Sequence, residues 1–176
     1  MKFTALLGAV ALAFACAAPA SAAIVDQQAN GFLIEHKVVI NAPAEKVWRT
    51  LINIGSWWSA DHTYSRDAAN LNMSTLVGGC WCETLPGKGE LRHMVVTFIA
   101  ENEALRLEGG LGPLGGLGVA GHMTFELAEA NGKTTVTWTY EVGGYTRGGL
   151  QQWAGPVDNV MAQQFARLKA AAEKAD

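Results

Sequence analysis

Val38-Val39-Ile40-Asn41-Ala42-Pro43-Ala44-Glu45-Lys46-Val47-Trp48 reads as a strand that turns directly into a helix. Upstream, Phe32, Ile34, Val38 and Ile40 share one parity while Glu35 and Lys37 hold the other, the period-2 signal of a half-buried strand over 32–40. His36 falls on the apolar face, where a packed imidazole with one hydrogen-bond partner is expected. Downstream, Pro43 is tolerated at a helix start, and Glu45 stands near the positive end of the helix. Val47, Trp48 and Leu51 then recur at helical spacing, which predicts a helix over 43–52. A second short helical or turn segment around Ile54 to Ser59 follows, carrying Trp57-Trp58.

From Leu71 to Val142 the sequence alternates strand and turn. Short strands are expected over 71–76 and 80–84, separated by a Gly78-Gly79 bend. A longer one over 90–99 follows the Pro86-Gly87-Lys88-Gly89 turn. Its apolar residues occupy both parities, with Met94, Val96 and Phe98 on one face and Leu91, Val95 and Ile99 on the other. Leu105 and Leu107 mark a fifth strand. Val119, Gly121, Met123, Phe125 and Leu127 alternate with polar residues, Asn131-Gly132 is a strong hairpin signal, and Val136, Trp138, Tyr140 and Val142 return inward. His122 falls on the polar face.

The chain ends in an amphipathic helix whose stripe is Trp153, Val157, Val160, Met161, Phe165 and Leu168. Gly155-Pro156 marks either its start or a kink in a longer element. Beyond Leu168 the stripe continues only as Ala170 to Ala172, so fraying is expected there. The fold class is α+β, with about six antiparallel strands between the first helix and the last.

Residues 1–22 read as a cleavable signal: Lys2 supplies a charge, Leu6 to Ala18 are uninterrupted by one, and Ala20-Ser21-Ala22 offers small residues for a cut after Ala22. The apolar run is shorter than the roughly 20 residues of a spanning helix, so no transmembrane anchor is expected after processing. Lipidation at Cys16 is the other alternative. The expected product is a periplasmic or secreted chain with a polar lead-in over 23–31, one domain over 32–172 and a tail over 173–176. With Lys2 removed from 13 basic and 16 acidic side chains, its formal charge is −4. The scattered Lys and Arg form no basic stripe, which argues against nucleic acid.

No motif of this sequence demands a cofactor or metal, and none identifies a catalytic residue. Gly109 to Gly118 lacks the lysine and hydroxyl residue of a phosphate loop; it reads as a turned loop whose Leu111, Leu114 and Leu117 dip toward apolar surface. Asp61-His62 near Tyr64 and Asp67 resembles a pocket rim, with no third ligand or nucleophile by spacing. Cys80 and Cys82 flank Trp81 on one side of a strand. Buried thiols are the favoured reading, because a flat strand does not meet the dihedral needs of a bridge; a disulfide, which export permits, and a metal or catalytic role are the others.

The order of elements resembles the helix-grip fold of the START-like (SRPBCC) superfamily, which includes polyketide cyclase-like proteins and Hsp90 ATPase activator homologues. The 38–48 stretch, Trp57-Trp58, the Gly78-Gly79 bend, Trp138-Thr139-Tyr140 and the last helix carry the likeness over roughly 32–172. The resemblance implies a curved antiparallel sheet gripping that helix, with a cavity for an apolar or amphipathic molecule between them. Its wall would comprise Met94, Val96, Phe98, Met123, Phe125, Trp138 and Tyr140 from strands, and Trp153, Val157, Met161 and Phe165 from the helix. Trp57, Trp58, Tyr64 and the loop leucines would form the mouth. Trp81 and Glu83 share a strand face that would put a carboxylate near the cavity. The export signal sets this chain apart from cytosolic chaperone activators.

Three roles are compatible with this reading. The first is an exported binding protein for a small hydrophobic or amphipathic ligand, such as a lipid or aromatic metabolite. The second is a cyclase- or hydrolase-like enzyme using Asp61, His62, Glu83 or Tyr140 in the same cavity. The third is an envelope interaction module with Trp57-Trp58 exposed beside the leucine loop. The oligomeric state is not encoded in any motif of this sequence.

Overall fold

A computed structural model describes residues 21–174; the expected signal up to position 20, and with it Cys16, lies outside the described residues. One antiparallel sheet of eight strands, in the order β1-β2-β8-β7-β6-β5-β4-β3, wraps a long carboxyl-terminal helix. The strands are β1 (Ser21–Gln28), β2 (Gly31–Ile40), β3 (Leu71–Met73), β4 (Cys80–Leu85), β5 (Gly89–Ala100), β6 (Ala104–Glu108), β7 (Gly118–Ala130) and β8 (Lys133–Tyr145). The helices are α1 (Ala44–Ile52) and α2 (Gln151–Ala172). This is the α+β helix-grip architecture, with more strands than the sequence periodicity yields.

The extra strand is β1, which occupies most of the expected lead-in. It pairs with β2 at the sheet edge and is broken by a bulge between Ile24 and Asp26. An edge strand is held by its backbone ladder on one side only, so it does not require apolar alternation. In the opposite direction, the predicted 71–76 strand shrinks to Leu71–Met73. Leu76 and Val77 stand exposed at the tip of the connection that follows.

The hairpin of β7 and β8 is the centre of the sheet. Asn131 (φ 53°) and Gly132 (φ 71°) both adopt the left-handed backbone a two-residue turn needs. The register pairs Met123 with Tyr140 and Phe125 with Trp138 on the buried face. Phe125 stacks on Trp138 with ring centroids 4.8 Å apart, and Phe165 of α2 meets Trp138 edge-on at 5.5 Å. Each of these rings is buried, so the middle of the sheet is solid core.

The helix α2 runs unbroken from Gln151 with Pro156 inside it. Pro156 removes the hydrogen bond to the Gln152 carbonyl, yet the first turn continues across it. The helix is fastened by polar contacts along its length. His36 on β2, fully buried, has Nε2 2.9 Å from Asp158 Oδ1. Gln164 accepts the Ser59 N–H at 2.8 Å, and Arg167 donates to the Trp57 carbonyl at 2.7 Å. The expected fraying is absent: Ala172 is buried, and Glu173 accepts from the Asn41 backbone N–H at 2.7 Å and from Lys169 at 2.8 Å.

Two bulges in β5 decide what reaches the interior. The first leaves His93 as the extra residue between Trp81↔Met94 and Cys82↔Arg92. The second leaves Thr97 extra between Val96↔Leu107 and Phe98↔Arg106. A bulge switches the face that subsequent residues present. Phe98, expected inward with Met94 and Val96, is therefore 40 % exposed and lies under the Arg106 guanidinium at 4.8 Å. Ile99 packs against the core in its place.

Candidate functional site

A pocket of about 370 Å³ opens where the amino-terminal half of α2 leaves the sheet. The apolar stripe of the helix divides there. Phe165 and Leu168 are sealed in the core, whereas Trp153, Val157 and Val160 are half-buried and, with the buried Met161 at the boundary, form one wall of the pocket. The opposite wall is Trp58, Trp81 and His93, and the rim is Asp61 to Tyr64.

The third side is the glycine-rich loop. Leu111, Gly112 and Pro113 line the pocket while Leu114 is buried beneath it. The Tyr140 hydroxyl accepts the Leu111 N–H at 2.9 Å and donates to the Gly109 carbonyl at 3.0 Å. Gly121 makes room for this arrangement: a Cβ there would fall 2.5 Å from the Gly109 carbonyl oxygen and 2.7 Å from the phenol. Burial pushes the Tyr140 phenol up to about 12, against the weaker opposing effect of its Leu111 bond.

Of the residues expected to contact a ligand, Trp58, Tyr64, Trp81, Trp153 and Met161 line the pocket. Met94, Met123, Phe125, Trp138 and Tyr140 do not; they fill the core behind it, so the cavity is displaced from the middle of the sheet toward the start of α2. Phe98 is outside on the far side of its bulge. Trp57 is also a core residue, its indole N–H bonded to the Leu51 carbonyl at 3.2 Å. Because Trp57 and Trp58 are both buried, they make no exposed contact patch.

The cysteines form a disulfide, contrary to the expected thiols. The physical reason is the first β5 bulge, which falls opposite Trp81 and Cys82 and bends this edge of the sheet. Cα atoms two residues apart in an extended strand are about 6.7 Å apart. Here they are 5.4 Å apart, within the reach of a bridge. The bend holds Trp81 against Trp58, centroids 4.8 Å apart and edge-on.

The main chemistry is a pair that joins one expected residue to one that periodicity did not single out. Glu83 is fully buried, and its Oε2 lies 2.9 Å from His93 Nε2. The Ser65 backbone N–H donates to Oε1. Burial pushes the Glu83 carboxyl up, but hydrogen bonds from Ser65, His93 and Tyr64 outweigh it and hold the group below its ordinary value. Burial lowers the His93 imidazole, against the opposing attraction of Glu83. At neutral pH the pair is a carboxylate beside a neutral imidazole. His93 is the bulged residue of β5, and extra residues of this kind re-aim side chains toward sites. Asp67, by contrast, accepts the Ala69 N–H and serves a local turn, and His122 is exposed on the polar face. Among the described residues no three His, Cys, Asp or Glu side chains converge as a metal site, and no helix is long and apolar enough to cross a membrane.

A family model described as polyketide cyclase / dehydrase and lipid transport matches residues 32–173. Among solved structures, the chain is similar to a protein from Rhizobium leguminosarum at 17% identity and TM-score 0.61, covering 86% of this chain and 100% of that one. A protein from Mesorhizobium loti gives 18% identity and TM-score 0.60, with 82% and 98% covered. The Aha1 dimer from Colwellia psychrerythraea gives 19% identity and TM-score 0.56, with 80% and 96% covered. At such identities the likeness is one of fold. No curated protein matches the chain.

Proposed function

The chain belongs to the polyketide cyclase / dehydrase and lipid transport family, and from that premise we propose that it is an exported binding protein for a small hydrophobic or amphipathic molecule. The observation that carries the reading is the pocket beside α2. Its volume of about 370 Å³ suits a small organic molecule, and Trp58, Trp81, Trp153, Val157, Val160 and Met161 make its walls predominantly apolar. Export rests on the sequence of residues 1–22, whose reading as a cleavable signal supports a periplasmic or secreted location.

The test is a titration with an apolar fluorescent probe, followed by the Val157→Trp variant. Filling the pocket with an indole is expected to weaken the probe at least tenfold while the melting temperature stays close to that of the parent. Unchanged affinity in a folded variant would locate the probe elsewhere and remove the support for this reading. A cyclase- or hydrolase-like reaction in the same pocket is the second reading. It is favoured by His93 on the wall, backed by the buried Glu83, because proton transfer requires such a group within reach of the substrate.

A further inference from the structure

An apolar pocket does not require a buried carboxylate-imidazole pair, and the hydrogen bonding of this pair dictates what it can do. Glu83 accepts from the Ser65 N–H through one oxygen and faces His93 Nε2 through the other. An ionised carboxylate only accepts, so the proton shared with His93 must be carried by Nε2. The neutral imidazole then has a bare Nδ1, which is an acceptor and has no partner among the described residues. The ring itself is part of the pocket wall.

We propose that His93 Nδ1 is the polar anchor of the pocket, and that its ligand is a neutral hydroxylated aromatic which donates a phenolic or enolic O–H to it. The inference rests on the binding reading above and names the ligand class. Aromatic character follows from the rings around the site: Trp81 and Tyr64 lie 5.7 and 6.0 Å from the imidazole, centroid to centroid, and Trp58 meets Trp81. Neutrality follows from the charges. Glu83 behind the imidazole and Asp61 at the rim repel an anion, while both Glu83 oxygens are already engaged, so the wall at His93 offers no free carboxylate oxygen to a cation.

The experiment compares naphthol with methoxynaphthalene, which keeps the ring system and loses the donor, by quenching of the pocket tryptophans. The parent protein is expected to prefer naphthol by about tenfold, the value of one hydrogen bond in a desolvated site. In the His93→Phe variant the preference is expected to vanish while methoxynaphthalene binds nearly as before. A second arm needs no variant. Acidification below the pKa of His93 turns Nδ1 into a donor, so the preference of the parent should collapse. The other ionisable groups facing this imidazole are Glu83 from β4 and Asp61, His62 and Tyr64 from the rim; the loop at 111–113 and α2 present none to the pocket. Repeating the acid arm in His62→Gln separates the second imidazole. Equal binding of the two compounds in the parent, or a preference that survives in the His93→Phe variant or in acid, overturns the anchor and leaves the pocket reading standing. Failure of both compounds to bind overturns the anchor and the pocket reading together.

Discussion

Replacing Tyr140 by Phe removes one oxygen and leaves the ring that packs the core. That oxygen accepts the Leu111 N–H at 2.9 Å and donates to the Gly109 carbonyl at 3.0 Å, from a side chain sealed from solvent. Two partly buried backbone groups lose their partner, which costs about 2 kcal/mol. For a domain of this size the melting temperature should fall by about 4–8 °C. Exchange of the Leu111 amide should accelerate as the loop edge of the pocket loosens. The pH dependence sharpens the test. The phenol titrates at 10 in the unfolded chain and about 12 in the folded one, so between those values the folded state holds one more proton. Stability therefore declines with rising pH across this window, by about 3 kcal/mol in full. The Phe variant lacks that titration, so its deficit at neutral pH should shrink and close toward pH 12. Equal melting temperatures at neutral pH, or parallel alkaline profiles for the two proteins, would refute the reasoning.

His36 and His93 are both held below the ordinary imidazole value by burial, against the attraction of Asp158 and Glu83. The unfolded chain thus takes up protons near pH 6.5 before the folded one does, and urea midpoints should fall as pH drops through that value; midpoints that rise would reverse the assignment. Gly121→Ala should destabilise by about 1–3 kcal/mol, because its Cβ meets the Gly109 carbonyl and the Tyr140 phenol; a neutral melting curve would show that the loop yields freely. The double variant Cys80→Ser, Cys82→Ser should lose only about 1–2 kcal/mol, since the bridge closes a very short loop. A collapse of the fold would give the bridge a larger role than loop entropy.

The parts of the fold that follow a single period were legible in the sequence. The β7–β8 hairpin needed only alternation and Asn131-Gly132, and α2 only its stripe. What escaped was produced by bulges, since one extra residue shifts the parity of everything after it and leaves no mark in composition. The same irregularity accounts for Phe98 facing out, His93 facing in and the Cys80–Cys82 bridge. Strand β1 escaped for a different reason: it is an edge strand held by its backbone. The pocket was half legible. Trp153 and Met161 were found because they lie on the helix stripe, and Trp81 because it shares a face with Glu83. The inward strand residues were indistinguishable from pocket wall because a filled core and an empty one present the same alternation.

The central claim is that a small, largely apolar molecule occupies the pocket beside α2. The most direct measurement is an isotope-filtered nuclear Overhauser spectrum of methyl-labelled protein saturated with naphthol. The account predicts contacts from the ligand ring to the methyls of Leu111, Val157, Val160 and Met161. Contacts confined to the exposed Leu76 and Val77, with none to those four, would contradict it.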